Sequence, residues 1–407
     1  MAKKRTKVVA RRGSPAARGS MELLVGTTKG AFRLRGGARG PWSVEGPWQL
    51  GSKVHDFVAD PRSPRTLLMT VAGGHLGPTV LRSTDGGRSW SESSAPPKFA
   101  PLAKKAKKPG DDGTSRGLSV KYNVWLSPGH RDERSTWYLG SNPQGLFASD
   151  DHGDTWRGID GFNLSKTYFA WTGGPDGTPD GSMLHSVLVD PRDAAHLYLS
   201  MSSGGTFESR DRGATWRPLN RGVFVDFGPV PYPETGQDPH CVVLSPSDPD
   251  RLWQQNHCGV YRLDRGAEGD AGEVWTRVGL KLPKAVGDIG FPIVAHPTDR
   301  DCAWVFPMDG TRLWPRTSPG GKPAVYRTEN AGRTWQRLDR GFPAGQAFLT
   351  VKRQGMCLAS DDGARSSALA LGTTGGELWL GTGDGESWRC VARHLPSVQS
   401  VRRAGAG

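Results

Sequence analysis

Apolar residues in this chain come in runs of only four to eight, each cut off by Gly, Pro, Asp or Ser. Runs so short and so sharply bounded predict β-strands. None is long enough for a membrane-spanning helix, which needs roughly 18–20 consecutive apolar residues. The runs also recur in a fixed order. A short apolar strand ends at Asp-Pro or Ser-Pro, and a strand of the Leu-Tyr-Leu type follows it. Then come a Gly-containing turn, a strand with an aromatic, a polar turn ending in Trp, and a last strand.

The polar turn is the most regular of these elements. It reads Ser83-Thr84-Asp85-Gly86-Gly87-Arg88-Ser89-Trp90. The pattern S/T-x-D-x-G-x-x-W returns at 149–156, at 209–216 and, with Asn for Asp, at 328–335. A carboxylate or amide at Asp85, Asp151, Asp211 or Asn330 can accept backbone N–H groups inside a tight turn, and Gly permits positive φ at the bend. Trp90, Trp156, Trp216 and Trp335 then fold back as apolar plugs, each burying roughly 150–250 Å². A residue that recurs wherever a hairpin must close is expected to be structural, not a catalytic acid.

These motifs are those of an Asp-box, and from about residue 21 to 403 the chain resembles the bacterial BNR-repeat proteins, often called sialidase-like or WD40/YVTN/BNR-like. The resemblance implies a β-propeller. The strand order leads to the same fold, because four antiparallel strands per unit make a propeller blade. Trp42, Trp275 and Trp388 end three worn or lengthened units, giving seven, with successive Trp residues 48 to 66 apart. The expected fold is therefore an all-β, seven-bladed propeller. Glu22–Val25 already matches the second strand of later units, so the segment Val398–Arg402 is expected to supply the missing strand and close the ring. Sialidases need an arginine cluster, a tyrosine–glutamate nucleophile and an acid/base aspartate. Phe32-Arg33-Leu34-Arg35 only grazes their early motif and lacks its proline, which argues against sialidase activity.

The formal net charge of +13 changes little once it is located. Residues 1–19 carry seven Lys or Arg and no acid, and 98–108 carry five Lys; together these supply 12 of the 13, leaving the body near neutral. A basic, disordered tail over 1–20, a Lys-rich loop at about 98–112 and a short tail at 404–407 are expected around one domain, 21–403. Nucleic acid is expected to touch only the basic tail, and weakly. Five cysteines without framework spacing point to reduced thiols and a cytoplasmic home.

Strand parity locates function. With the start of each innermost strand called the top, the turns between second and third strands and the linkers between units lie on top. The long segments 94–117, 157–182, 217–239 and 307–322 belong there, and sites on rigid scaffolds collect on such loops. His55, His185 and His240 each stand six residues before the proline that ends an innermost strand, as do Tyr122 and Phe291. His257 and Asn256 lie in a top turn, and Lys29 occupies the comparable turn of the first unit.

Three or four imidazoles near one axis, His55, His185, His240 and His257, can hold zinc, iron or manganese. They can equally hydrogen-bond across the channel or grip an anion. Asp56 and Asp226 are the carboxylates placed to support catalysis there. Lys29, Tyr122, Trp171, Asn256 and Phe291 are the candidate ligand-contacting residues. Two functions follow as expectations: a scaffold that binds a protein partner or small polar ligand on its top face, or a metal-dependent hydrolase or lyase at the channel mouth.

Overall fold

A computed structural model describes residues 20–173, 181–266, 273–309, 316–361 and 367–404. The basic tail expected at 1–20 lies outside these residues apart from its last position, as does the end of the chain from 405. Among the described residues the protein is a β-propeller with almost no helix. It has five four-stranded antiparallel sheets and one eight-stranded sheet. Each four-stranded sheet is built from consecutive strands, as in Val54–Asp60, Ser63–Gly74, Gly77–Ser83 and Ser91–Glu92.

The eight-stranded sheet is two such runs joined by one parallel bridge between Gln354 and Ser400. In it, Val398–Arg403 pairs antiparallel with Met21–Thr27, so the two ends of the described chain share a sheet. Among the described residues no helix is long and apolar enough to cross a membrane.

The polar turns behave as their residues dictate. Asp85 Oδ1 accepts the N–H groups of Arg88 and Ser89 at 2.9 and 3.0 Å, and Ser83 Oγ accepts Gly87 N–H at 2.8 Å. Asp151 and Asp211 repeat the geometry. Asn330 shows why an amide is tolerated: its Oδ1 accepts Thr334 N–H at 2.9 Å while its Nδ2 donates to Thr334 Oγ1 at 2.8 Å. The Trp that follows is an interblade wedge. Trp156 packs with Val58, Leu68 and Val80 of the preceding sheet as well as with its own Leu139 and Phe147. Gly153, at φ 83°, lets the turn approach; a Cβ there would lie 2.6 Å from Leu68. Each fully buried large side chain of this kind contributes roughly 1.5–3 kcal/mol, and Trp137, Trp253 and Trp304 repeat the theme on second strands.

One expectation about loops needs amendment. The segment 157–182 is not all irregular: it contains short helices at Asp160–Asn163 and Tyr168–Thr172, which carry Phe162 and Tyr168 into the core. The Lys-rich segment is folded back on itself, with Asp111 accepting the N–H groups of Lys107 and Lys108 at 2.8 and 3.0 Å.

Candidate functional site

The innermost strands begin at the channel mouth with a shared irregularity. Their pairing to the second strand slips between Val54 and Phe57, His185 and Leu188, Pro239 and Cys241, and Gly290 and Ile293. A bulge there re-aims the residues at the top of each strand. Those residues are the ones singled out in the sequence, and the bulge gives them different fates.

His185 is fully buried and doubly engaged. Its Nε2 donates to Pro239 O at 3.0 Å and its Nδ1 accepts from Ser186 Oγ at 3.0 Å, while Ser186 Oγ accepts Val242 N–H at 3.0 Å. Burial, aided by Arg353, holds this imidazole neutral, its pKa well below the usual value. His55 stacks on Tyr122, with ring centroids 5.1 Å apart, and Lys53 lies over the same Tyr122 ring. Asp56 is fully buried: its carboxylate takes both hydrogen bonds of Arg402 and the N–H of Leu126. These contacts tie three blades together and leave the group facing no solvent.

The remaining candidates gather at one sector. His240, His257 and Asp238 each place a donor atom within 4.8 Å of the others. His240 lies 4.6 Å from the Phe291 ring, which in turn sits under the Arg353 guanidinium. Arg353 crosses from its own innermost strand to donate to His240 O at 3.2 Å, and Gln354 donates across the channel to Val124 O at 2.8 Å. Asp238 is buried. Burial pushes its carboxyl up, but His240, then His257 and Arg353, outweigh this and hold it down at about 2. Asp226 is exposed on the linker 217–239 and accepts a hydrogen bond from the Cys258 thiol at 3.3 Å. Asn256 is buried as a turn brace, accepting Cys258 N–H at 2.9 Å. Trp171 packs against Phe207 and Phe162, and Lys29 is exposed on its turn.

Sequence reasoning passed over three residues of this sector. Asp238 stands two positions before His240, outside the proline register. Arg353 lies on a strand that ends without proline, which left it unaligned. Arg316 is buried in the 307–322 insertion, where it feels Asp309, Asp238 and Asp226.

No protein-family profile matches the chain. A xyloglucanase of Acetivibrio thermocellus is 24% identical over 305 residues, which is 70% of this chain and 32% of that protein. A xyloglucanase of a Paenibacillus species is 23% identical over 281 residues, 64% of this chain and 23% of that protein. The chain thus spans about a third or less of the length of these curated relatives. Among solved structures, the GH74 xyloglucanase from Xanthomonas campestris matches with a TM-score of 0.61 at 17% identity, over 93% of this chain and 53% of that one. An ancestral GH74 enzyme matches at 0.53 and 16%, over 92% and 40%.

At such identities the solved structures speak for the fold alone. The curated relatives bear on function, and they overturn one expectation. They are enzymes named for a polysaccharide, so the likeness points to a glycoside hydrolase and a carbohydrate rather than to a non-catalytic scaffold with a protein partner.

Proposed function

We propose that this chain is a glycoside hydrolase module acting on a polar polysaccharide of the xyloglucan class at its top face. In the same reading the fold is a seven-bladed ring, with the four polar turns as BNR-type Asp-boxes and Val398–Arg403 as the closing strand. The pairing of that strand with Met21–Thr27 and the shared geometry of the four turns support it.

The observation that carries the functional reading is a pair of carboxylates beside exposed aromatics. Asp226 comes from the 217–239 linker and Asp309 from just past the strand Ala303–Pro307, and the charges of both favour the Arg316 guanidinium. Hydrolysis of a glycosidic bond uses two carboxyl groups, one to protonate the leaving oxygen and one to assist water or attack the sugar. In this reading Asp226, which is exposed and backed by the Cys258 thiol, faces the substrate oxygen, and Asp309 serves on the other side. Phe227 and Tyr232, 52% and 62% exposed on the same linker, offer apolar faces on which a sugar ring can stack.

The test is release of reducing ends from xyloglucan and its oligosaccharides. Activity is expected in the wild type and expected to fall at least 100-fold in Asp226→Asn and Asp309→Asn, with melting temperatures preserved. A wild-type protein that neither binds these oligosaccharides by calorimetry nor cleaves them overturns the proposal.

A further inference from the structure

We infer that Asp238, His240 and His257 form a binding site for one late first-row divalent cation, zinc above all. The inference goes beyond the glycosidic reading and does not depend on it.

A backbone carbonyl fixes the tautomer of His240. Its Nδ1 lies 2.6 Å from Gly290 O, a carbonyl that can only accept, so Nδ1 carries the proton. A ligating histidine has its second ring nitrogen held in this way, which fixes the ring and exposes the other nitrogen's lone pair. In the neutral ring Nε2 therefore presents a lone pair, and what it faces is Asp238 Oδ2 at 3.4 Å. His257 Nδ1 faces the same oxygen at 3.6 Å. Two imidazole nitrogens, one buried and one partly exposed, thus converge on one buried carboxylate.

A proton does not fit these separations well. A charge-assisted N–H···O bond draws its atoms to roughly 2.7–2.9 Å, and neither contact comes near that. Metal ligation suits these two nitrogen–oxygen separations better. With bonds of about 2.0–2.1 Å and tetrahedral angles, neighbouring donors stand about 3.4 Å apart. The carboxylate has a further oxygen to offer, since Asp238 Oδ1 is buried with no hydrogen-bond partner among the described residues.

The framework around the three ligands is rigid. The His257 backbone N–H donates to Asp238 O at 2.9 Å, pinning the turn that carries His257 over the start of the innermost strand. Phe227 covers His257 edge-on at 5.3 Å, and Phe291 backs His240.

The surroundings select the ion. Arg353 and Arg316 both act on Asp238, so a hard cation held mainly by charge is disfavoured. Two nitrogens and one oxygen suit a borderline ion with strong imidazole bonds, and three protein ligands leave a position for water or a ligand oxygen.

The experiment uses the full chain without a histidine tag, stripped with chelator and desalted. Zinc chloride is titrated by calorimetry, and cobalt(II) is followed by its visible ligand-field bands. One equivalent of zinc is expected, with cobalt bands showing nitrogen ligation. Affinity is expected to fall at least 100-fold in His257→Ala and in Asp238→Asn, and to be unchanged in His55→Ala. His257 is a quarter exposed, so its removal leaves the fold intact. Absence of stoichiometric uptake by the folded wild type overturns the inference. So does uptake that both ligand variants retain, which would place the ion on other imidazoles. Because metal binding is read without substrate, its failure is distinguishable from failure of the glycosidic proposal.

Discussion

The Arg402 guanidinium closes on the Asp56 carboxylate through two hydrogen bonds of 2.9 Å, across 346 positions of the chain. The carboxylate is fully buried and also accepts Leu126 N–H, so the last strand is clamped to the second and third blades together. Removing one partner of a buried pair strands the other, at a cost of about 3–5 kcal/mol. Arg402 keeps some exposure, which moves the expectation to the lower end. Arg402→Ala is expected to lose about 3 kcal/mol in urea unfolding, and the double variant Asp56→Asn/Arg402→Met less than either change would suggest alone. Deletion of residues 396–407 is expected to destabilise the whole protein. A truncated chain that melts with the wild type would remove the closing role assigned to this strand.

The polar turns allow a sharper test, because Asn330 already occupies the aspartate position in one of them. Asp151→Asn keeps an oxygen for the N–H groups of Asp154 and Thr155 and gains a donor for Thr155 Oγ1. Its expected cost is well under about 1 kcal/mol. Asp151→Ala leaves two turn N–H groups without their acceptor and is expected to cost about 1–2 kcal/mol. Equal losses for the two variants, measured by urea unfolding, would mean that the charge and not the hydrogen-bond geometry holds the turn.

Much of the architecture was legible because the same chemistry is written several times. The Asp, Gly and Trp of each turn act locally, so their spacing gives strand order and blade length directly. Proline at the end of innermost strands gave a register that placed His55, His185 and His240 at equivalent positions. What those positions do was not legible, because it depends on the neighbouring blade. His185 finds Pro239 O and is consumed by it; His240 finds Asp238 and His257. Strand alternation cannot report this, since a bulge intervenes just past the first residue and turns the side chains anew. Arg353 went unnoticed for a different reason, as its strand has no proline to align. The helices at 160–163 and 168–172 are too short for a periodic signal, and tertiary packing of Phe162 and Tyr168 is what sustains them.

The five cysteines are free, and their surroundings predict inertness. Burial pushes the thiols of Cys258, Cys302 and Cys357 up to about 12, and those of Cys241 and Cys390 upward as well. The thiolate is the reactive form, so the folded protein is expected to react very slowly with a disulfide reagent at pH 8. All five are expected to react within the mixing time in denaturant. Rapid modification of Cys258 in the native state would contradict its role as hydrogen-bond donor to Asp226.

Glu208 supplies a pH test whose sign is fixed by its neighbours. Its carboxylate is buried between blades, accepting from His196 Nε2 at 2.5 Å and from Arg265 Nη1 at 2.6 Å, and it is paired with Arg217. Burial alone would raise its pKa. The hydrogen bonds from His196 and Arg265, with the charges of Arg265 and Arg217, outweigh burial and hold the group well below the usual carboxylate range. A carboxyl depressed in the folded state contributes stability that is fully present above its unfolded pKa, about 4.3, and that is lost as pH falls toward the folded value. Glu208→Gln is therefore expected to cost about 3 kcal/mol at pH 7, where it leaves Arg265 short of a buried partner. The gap from wild type is expected to narrow by about 1–2 kcal/mol between pH 5 and pH 3, because only the wild type has a proton to take up at this position. Urea unfolding of both proteins across that range checks it. A gap that stays constant would mean that shape rather than charge makes Glu208 the centre of this interblade contact.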